Sequence, residues 1–161
     1  MIVVSDTSPL VNLAAVGQLE LLHLLYGKVL LPQVVRQEVE AGVRKMPTNA
    51  AVLSAPWLET RSVQNQSLVT RLMIEIDLGE AEAIVLATEA KASFVLMDDQ
   101  DGRHVAKREG VRTVGLIGVL VEAKKAGCLT AIRPVLDQLR TKVDFWMSDR
   151  LYELALRQAG E

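Results

Sequence analysis

Six acidic residues in this chain stand where their carboxylates could act together: Asp6, Glu38, Glu80, Glu82, Asp98 and Asp99. Asp6 closes the apolar run Ile2-Val3-Val4-Ser5, and Asp98-Asp99 closes Phe94-Val95-Leu96-Met97. On a helix, Glu38 has Val34 and Val35 behind it and Ala41 ahead, so it shares a face with apolar residues. Glu40 instead pairs at i, i+4 with Arg36 and faces solvent. Glu80 and Glu82 fall in the first turn of an apolar segment, and two residues on a helix diverge by about 200°. Spacing favours Glu82 as the inner acid, with Glu80 in its place if the first turn is irregular. Several carboxylates cannot all stay ionised side by side without a cation. Hard oxygen ligands with no His or Cys among them select Mg²⁺ or Mn²⁺. Such a site suits phosphoryl chemistry, in which one metal acidifies a water and a second steadies the leaving oxygen.

The elements that must carry these acids alternate. The strands read as residues 2–5, 28–31, 94–97 and 112–114, with an edge strand at 58–62. The helices read as a first one opened by Ser8 and Pro9, then 19–25, 33–41, a short one within 46–56, 68–76, 80–87, 100–109, 116–126, 131–142 and 148–158. Ser8 suits an N-cap, and Pro9 and Pro32 suit helix starts. Gly27, Gly42, Gly110 and Gly127 are placed as stops. Alternation of this kind predicts a parallel sheet with helices on both faces. In such a sheet ligands gather at the carboxyl edge of the strands, which is where Asp6 and Asp98-Asp99 fall.

Composition narrows the class. The 161 residues suit one domain, with a motif-bearing core over about 1–126 and further helices within 131–158. Half the residues are apolar but only 4% are aromatic, so Leu, Val, Ile and Ala must fill the core. A formal charge of −2 makes no bulk case for binding a polyanion, which would need a local basic patch or a metal. A lone Cys128 excludes a disulfide framework and a thiolate zinc site. No apolar run approaches a membrane span and no leader precedes the first strand, so a cytoplasmic protein is expected. A receiver-type phosphoacceptor would want an acid pair after the first strand and a Lys after the last. A haloacid-dehalogenase-like phosphatase would want an acid where Ser8 stands. Arg103, Lys107 and Arg108 offer a modest basic face, with no aromatic residue among them to stack on a base. On the last helix, Leu151, Leu154, Ala155 and Gln158 form one face, read as core packing or as a surface for a partner.

These residues resemble the PIN-domain family, metal-dependent ribonucleases that include the VapC-like toxins of toxin–antitoxin pairs. The likeness rests on Val4-Ser5-Asp6-Thr7-Ser8-Pro9-Leu10-Val11-Asn12-Leu13 and Leu31-Pro32-Gln33-Val34-Val35-Arg36-Gln37-Glu38-Val39. It continues through Leu78-Gly79-Glu80-Ala81-Glu82-Ala83-Ile84 and Val95-Leu96-Met97-Asp98-Asp99. The stretch from Asp98 to Leu120 is similar to a poorly characterised branch of the family. The resemblance implies a three-layer α/β/α sandwich on a five-stranded parallel sheet. It implies Asp6, Glu38, Glu82 and Asp99 as metal-binding catalytic acids, supplemented by Asp98 or Glu80, with Mg²⁺ or Mn²⁺ as cofactor. Thr7 or Ser8 would orient a carboxylate or the attacking water, Asn12 would sit at the rim, and Arg103 would meet the substrate. RNA is the implied substrate, and a small antitoxin protein and a homodimer are the implied assemblies. Met97 stands where many members carry Thr or Ser, and the third acid is Glu where it is often Asp. These departures motivate the alternative, a weak or inactive PIN-like module that binds RNA or protein.

Overall fold

Short runs of Val, Leu and Phe bounded by turn residues build the strands of this computed structural model, which describes residues 1–161. They are β1 (Val3–Ser5), β2 (Val29–Pro32), β3 (Leu58–Arg61), β4 (Phe94–Leu96) and β5 (Thr113–Val114). All pair in parallel, in the order β3-β2-β1-β4-β5. The edge position of β3 agrees with its sequence: Leu58-Glu59-Thr60-Arg61 is only half-buried, whereas β1, β2 and β4 are buried throughout. Strands covered on both faces read as unbroken apolar runs, as these do.

Ten helices fill the connections: α1 (Thr7–Ala15), α2 (Glu20–Tyr26), α3 (Gln33–Ala41), α4 (Asn49–Ser54), α5 (Gln66–Leu72), α6 (Leu78–Ala90), α7 (Gln100–Arg108), α8 (Leu116–Lys125), α9 (Arg133–Lys142) and α10 (Asp149–Gln158). They flank the sheet as an α/β/α sandwich. On one face a large apolar cluster joins α1–α4 to α8, α9 and α10 through residues such as Leu10, Val35, Leu120, Leu136 and Leu156. On the other face a smaller cluster joins α5, α6 and α7 through Leu72, Ile84 and Val105. The helix α6 lies against β1, β2 and β4. It is apolar almost all round, and Gly79 to Ala87 are buried apart from Glu82. No single helix is long and apolar enough to cross a membrane.

Helix α10 corrects one expectation. Its core face is Tyr152, Ala155 and Leu156, while Leu151 and Leu154 are 40% and 43% exposed. The rotation is fixed by Tyr152, whose hydroxyl donates to Asp137 Oδ1 (2.7 Å) and whose ring lies 4.2 Å beneath the Arg140 guanidinium. Residues 103 and 107 of α7 are free of ion pairs, but Arg108 is not part of an open basic face. It forms a two-pronged pair with Glu75.

Candidate metal and nucleic-acid site

Each central acid reaches the carboxyl edge of the sheet on its own element. Asp6 follows β1, and its backbone N–H donates to the Leu96 carbonyl of β4 (3.0 Å), which ties the two strand ends together. It occupies the N-cap position of α1 without using its side chain as a cap, so the carboxylate stays available. The next strand over delivers Asp98 and Asp99. Asp98 Oδ1 accepts from the Leu116 N–H at the start of α8 (2.8 Å), and its Oδ2 is buried with no partner. Asp99 Oδ1 accepts from the Gly102 N–H (3.1 Å) and caps α7.

The third group of acids comes from α3 and α6. A capping box starts α6: the Glu80 N–H donates to Asp77 Oδ1 (2.8 Å), and the Asp77 N–H donates to Glu80 Oε1 (3.1 Å). This curls Glu80 back over the helix start, where it is buried. Glu38 arrives from α3 and accepts a hydrogen bond from the Thr7 hydroxyl. Gly79 leaves the space it occupies, since a Cβ there would lie 2.7 Å from Glu38 Oε1. Gly102 does the same for Glu80, whose Oε2 would lie 2.9 Å from a Cβ.

Asp6, Glu38, Glu80, Asp98 and Asp99 therefore line one open cavity of about 470 Å³, with Thr7, Ser8 and Asn12 also in its wall. Glu38 is exposed at its edge rather than buried on an apolar stripe, because Val35 and Val39 take the core face of α3. The cavity takes Glu80 rather than Glu82 from α6, which corrects the reading from spacing. The capping box is the reason. Glu82 is turned toward α3, beside the Val34 backbone and Glu38, and its Oε2 is buried without a partner. Arg103 donates from Nη1 to the Met97 carbonyl (2.9 Å) and stands next to Asp98, behind the cavity rather than in its lining.

Two contributions were not singled out from sequence. Asp77 lines the cavity as well as capping α6. Its signal was present, as an acid three residues ahead of Glu80. Asp144, Phe145 and Trp146, from the turn between α9 and α10, complete the wall. No local pattern announces them, because only the packing of the last two helices brings them there.

The site is strongly polarised against negative charge. Burial raises Asp6 to about 7, against the lowering effect of the Thr7 N–H, and Asp77, Glu38 and Asp98 add to the rise. Burial likewise raises Glu80 to about 8, against its hydrogen bond from Asp77, with Asp77, Asp99 and Asp6 adding to it. Asp98 is also raised by burial, although the Leu116 N–H and Arg103 oppose this. As they are placed, no three His, Cys, Asp or Glu side chains stand close enough together to hold a metal ion. The donor set nonetheless fits a hard divalent cation. It is all oxygen, Asp98 Oδ2 lacks a partner, and the raised acids are those a cation would relieve.

Comparison with protein families finds a match over residues 2–161 to a family described as a PIN domain. Comparison with curated proteins and with solved structures finds no match.

Proposed function

Given that this chain belongs to the PIN-domain family, whose fold is of nuclease type and whose members are generally nucleases, we propose that it is an Mg²⁺- or Mn²⁺-dependent endoribonuclease. The observation that carries this reading is the single cavity shared by Asp6, Glu38, Glu80, Asp98 and Asp99. When bound, a divalent cation would supply an acidified water and charge relief for an in-line displacement at a phosphodiester. Asp6 and Asp98 are the members anchored at the sheet edge, and they would be among the residues that hold the ion. Glu38 and Asp99 are exposed and would add further carboxylates to the set that holds it. Thr7 steadies Glu38 through its hydroxyl, and Ser8 and Asn12 lie at hand for the water or the substrate. Asp77 and Glu80 add carboxyl oxygens to the same wall, and a bound cation would favour loss of the Glu80 proton.

The test is cleavage of RNA by purified protein with Mn²⁺. We expect cleavage that falls by about two orders of magnitude or more in Asp6→Asn and in Asp99→Asn. Both changes preserve shape, and Asn is itself a good N-cap, so α7 keeps its start. The toxin role and its small antitoxin partner belong to the same proposal. Their test is whether expression arrests growth and whether a co-expressed small protein from the neighbouring gene relieves the arrest.

A second reading is a non-catalytic module that binds RNA or protein. One observation favours it: no three of the carboxylates stand close enough together to hold a metal ion. Cleavage abolished by Asp6→Asn and Asp99→Asn would exclude it.

A further inference from the structure

We propose that Trp146 is a stacking platform for an unpaired base of the substrate strand, beside the phosphate held over the acidic cavity. This deepens the nuclease reading and rests on it, because it assigns a residue of this chain that would grip the strand beside the acids.

Trp146 is 84% exposed in a chain with only two tryptophans. The other, Trp57, is buried and stacked on His23. Exposing an indole of this size to water is unfavourable, and covering it would favour binding. The turn that presents it is held on both sides. Val143 and Met147 are buried anchors, and Phe145 packs against the core. The Arg140 guanidinium donates to Asp149 Oδ1 (3.1 Å), and the Ser148 hydroxyl accepts from the Leu151 N–H (3.1 Å). The backbone that carries the indole is therefore anchored on both sides, which lowers the ordering cost of binding. It lines the same cavity as Asp6 and Asp99, so a strand held at the acids would lie beside the indole.

A neighbouring groove indicates the occupant's charge. Arg103, His104, Lys107 and Arg112 line an open cavity of about 570 Å³ to which no acid contributes. It runs along α7 from Gln100, the residue after Asp99, and shares no lining residue with the acidic cavity. Lys107 and Arg112 are engaged in no ion pair, whereas the Arg103 guanidinium donates to the Met97 carbonyl beside Asp98. Cations along one flank suit consecutive phosphates, and an aromatic face near the acids suits a base. A base paired in a duplex presents its edge rather than its face, so the strand must be unpaired at this point.

The test uses full-length protein in an Asp6→Asn background, which leaves the strand uncut, with 12-nucleotide single-stranded RNA, single-stranded DNA and duplex RNA as probes. Single strands should quench the tryptophan emission, and Trp146→Phe should remove the quench while keeping affinity within about threefold. Trp146→Ala should weaken strand binding about tenfold, one stacked base being worth that much. Duplex RNA should leave the emission unchanged. Comparing the RNA and DNA arms identifies the sugar, and a quench by either supports the platform. Unchanged emission at saturation, or Trp146→Ala binding as tightly as its parent, overturns the proposal. If Trp146→Ala instead converts a dimer to a monomer without affecting strand binding, Trp146 belongs to a protein interface and the proposal also fails. The two readings fail differently. Otherwise wild-type protein that cuts RNA with an unaltered KM in Trp146→Ala removes the platform alone. Protein that neither binds nor cuts any strand removes the nuclease reading with it.

Discussion

A carboxylate almost sealed from water and facing other acids is held near neutral pH by its surroundings, and Asp6 and Glu80 are both in this position. Their raised pKa values favour the protonated folded form. That contribution to stability is complete below the ordinary values of 3.8 and 4.5, and it is lost as pH rises through about 7 and about 8. Other acids titrate too, so the difference from Asp6→Asn isolates the effect. In EDTA, Asp6→Asn should gain Tm relative to wild type between pH 5 and pH 8, and Mn²⁺ should reverse the order at pH 8. A difference that does not move with pH would contradict the burial argument. Gly79 gives a complementary prediction. In Gly79→Ala the new Cβ meets only the far end of the flexible Glu38 side chain, so the fold tolerates it. Tm should hold or rise slightly, since Ala suits a helix better than Gly by up to about 1 kcal/mol. Mn²⁺ affinity, read by calorimetry, should fall about tenfold because Glu38 is displaced.

At the level of elements, α6 depends on how it begins. Asp77 and Glu80 satisfy each other's backbone groups, so Asp77→Ala should cost about 1 kcal/mol in urea unfolding, and Asp77→Asn much less. The same cap explains which part of the site the sequence concealed. Strand ends deliver Asp6, Asp98 and Asp99 by a rule that a strand–helix pattern makes visible. Glu80 and Glu82 differ by a helical angle alone, and ideal spacing ignored the side chain curling back over the first turn. Boundaries followed the same logic. Helix α3 lies where its Pro and Gly punctuation put it, at Gln33–Ala41. Helix α5, expected at 68–76, begins at Gln66, because Asn65 accepts from the Leu68 N–H and starts the helix early.

At the level of the molecule, the C-terminal helices are part of the wall that shapes the site. Leu136 of α9 is fully buried in the large cluster along with Leu120, Leu139 and Leu156. Leu136→Ala should therefore cost about 2–5 kcal/mol by chemical denaturation, as a core cavity does. A cost below 1 kcal/mol would mean that α9 is peripheral. This long-range packing also places Trp146 and exposes Leu151 and Leu154. The alternating strand and helix pattern carried the sandwich, whereas the facing of α10 depended on Tyr152 meeting Asp137 and Arg140. Leu spacing alone could not reveal that contact.

The central claim is that the acids of the cavity bind one another's shared counter-ion and use it on RNA. Diffraction from crystals soaked in Mn²⁺, recorded at a wavelength where manganese scatters anomalously, tests it most directly. The account predicts an anomalous peak between the carboxylates of Asp6 and Asp99, absent from Asp6→Asn crystals. A cavity without a peak at millimolar Mn²⁺, or a peak that survives the substitution, would contradict it.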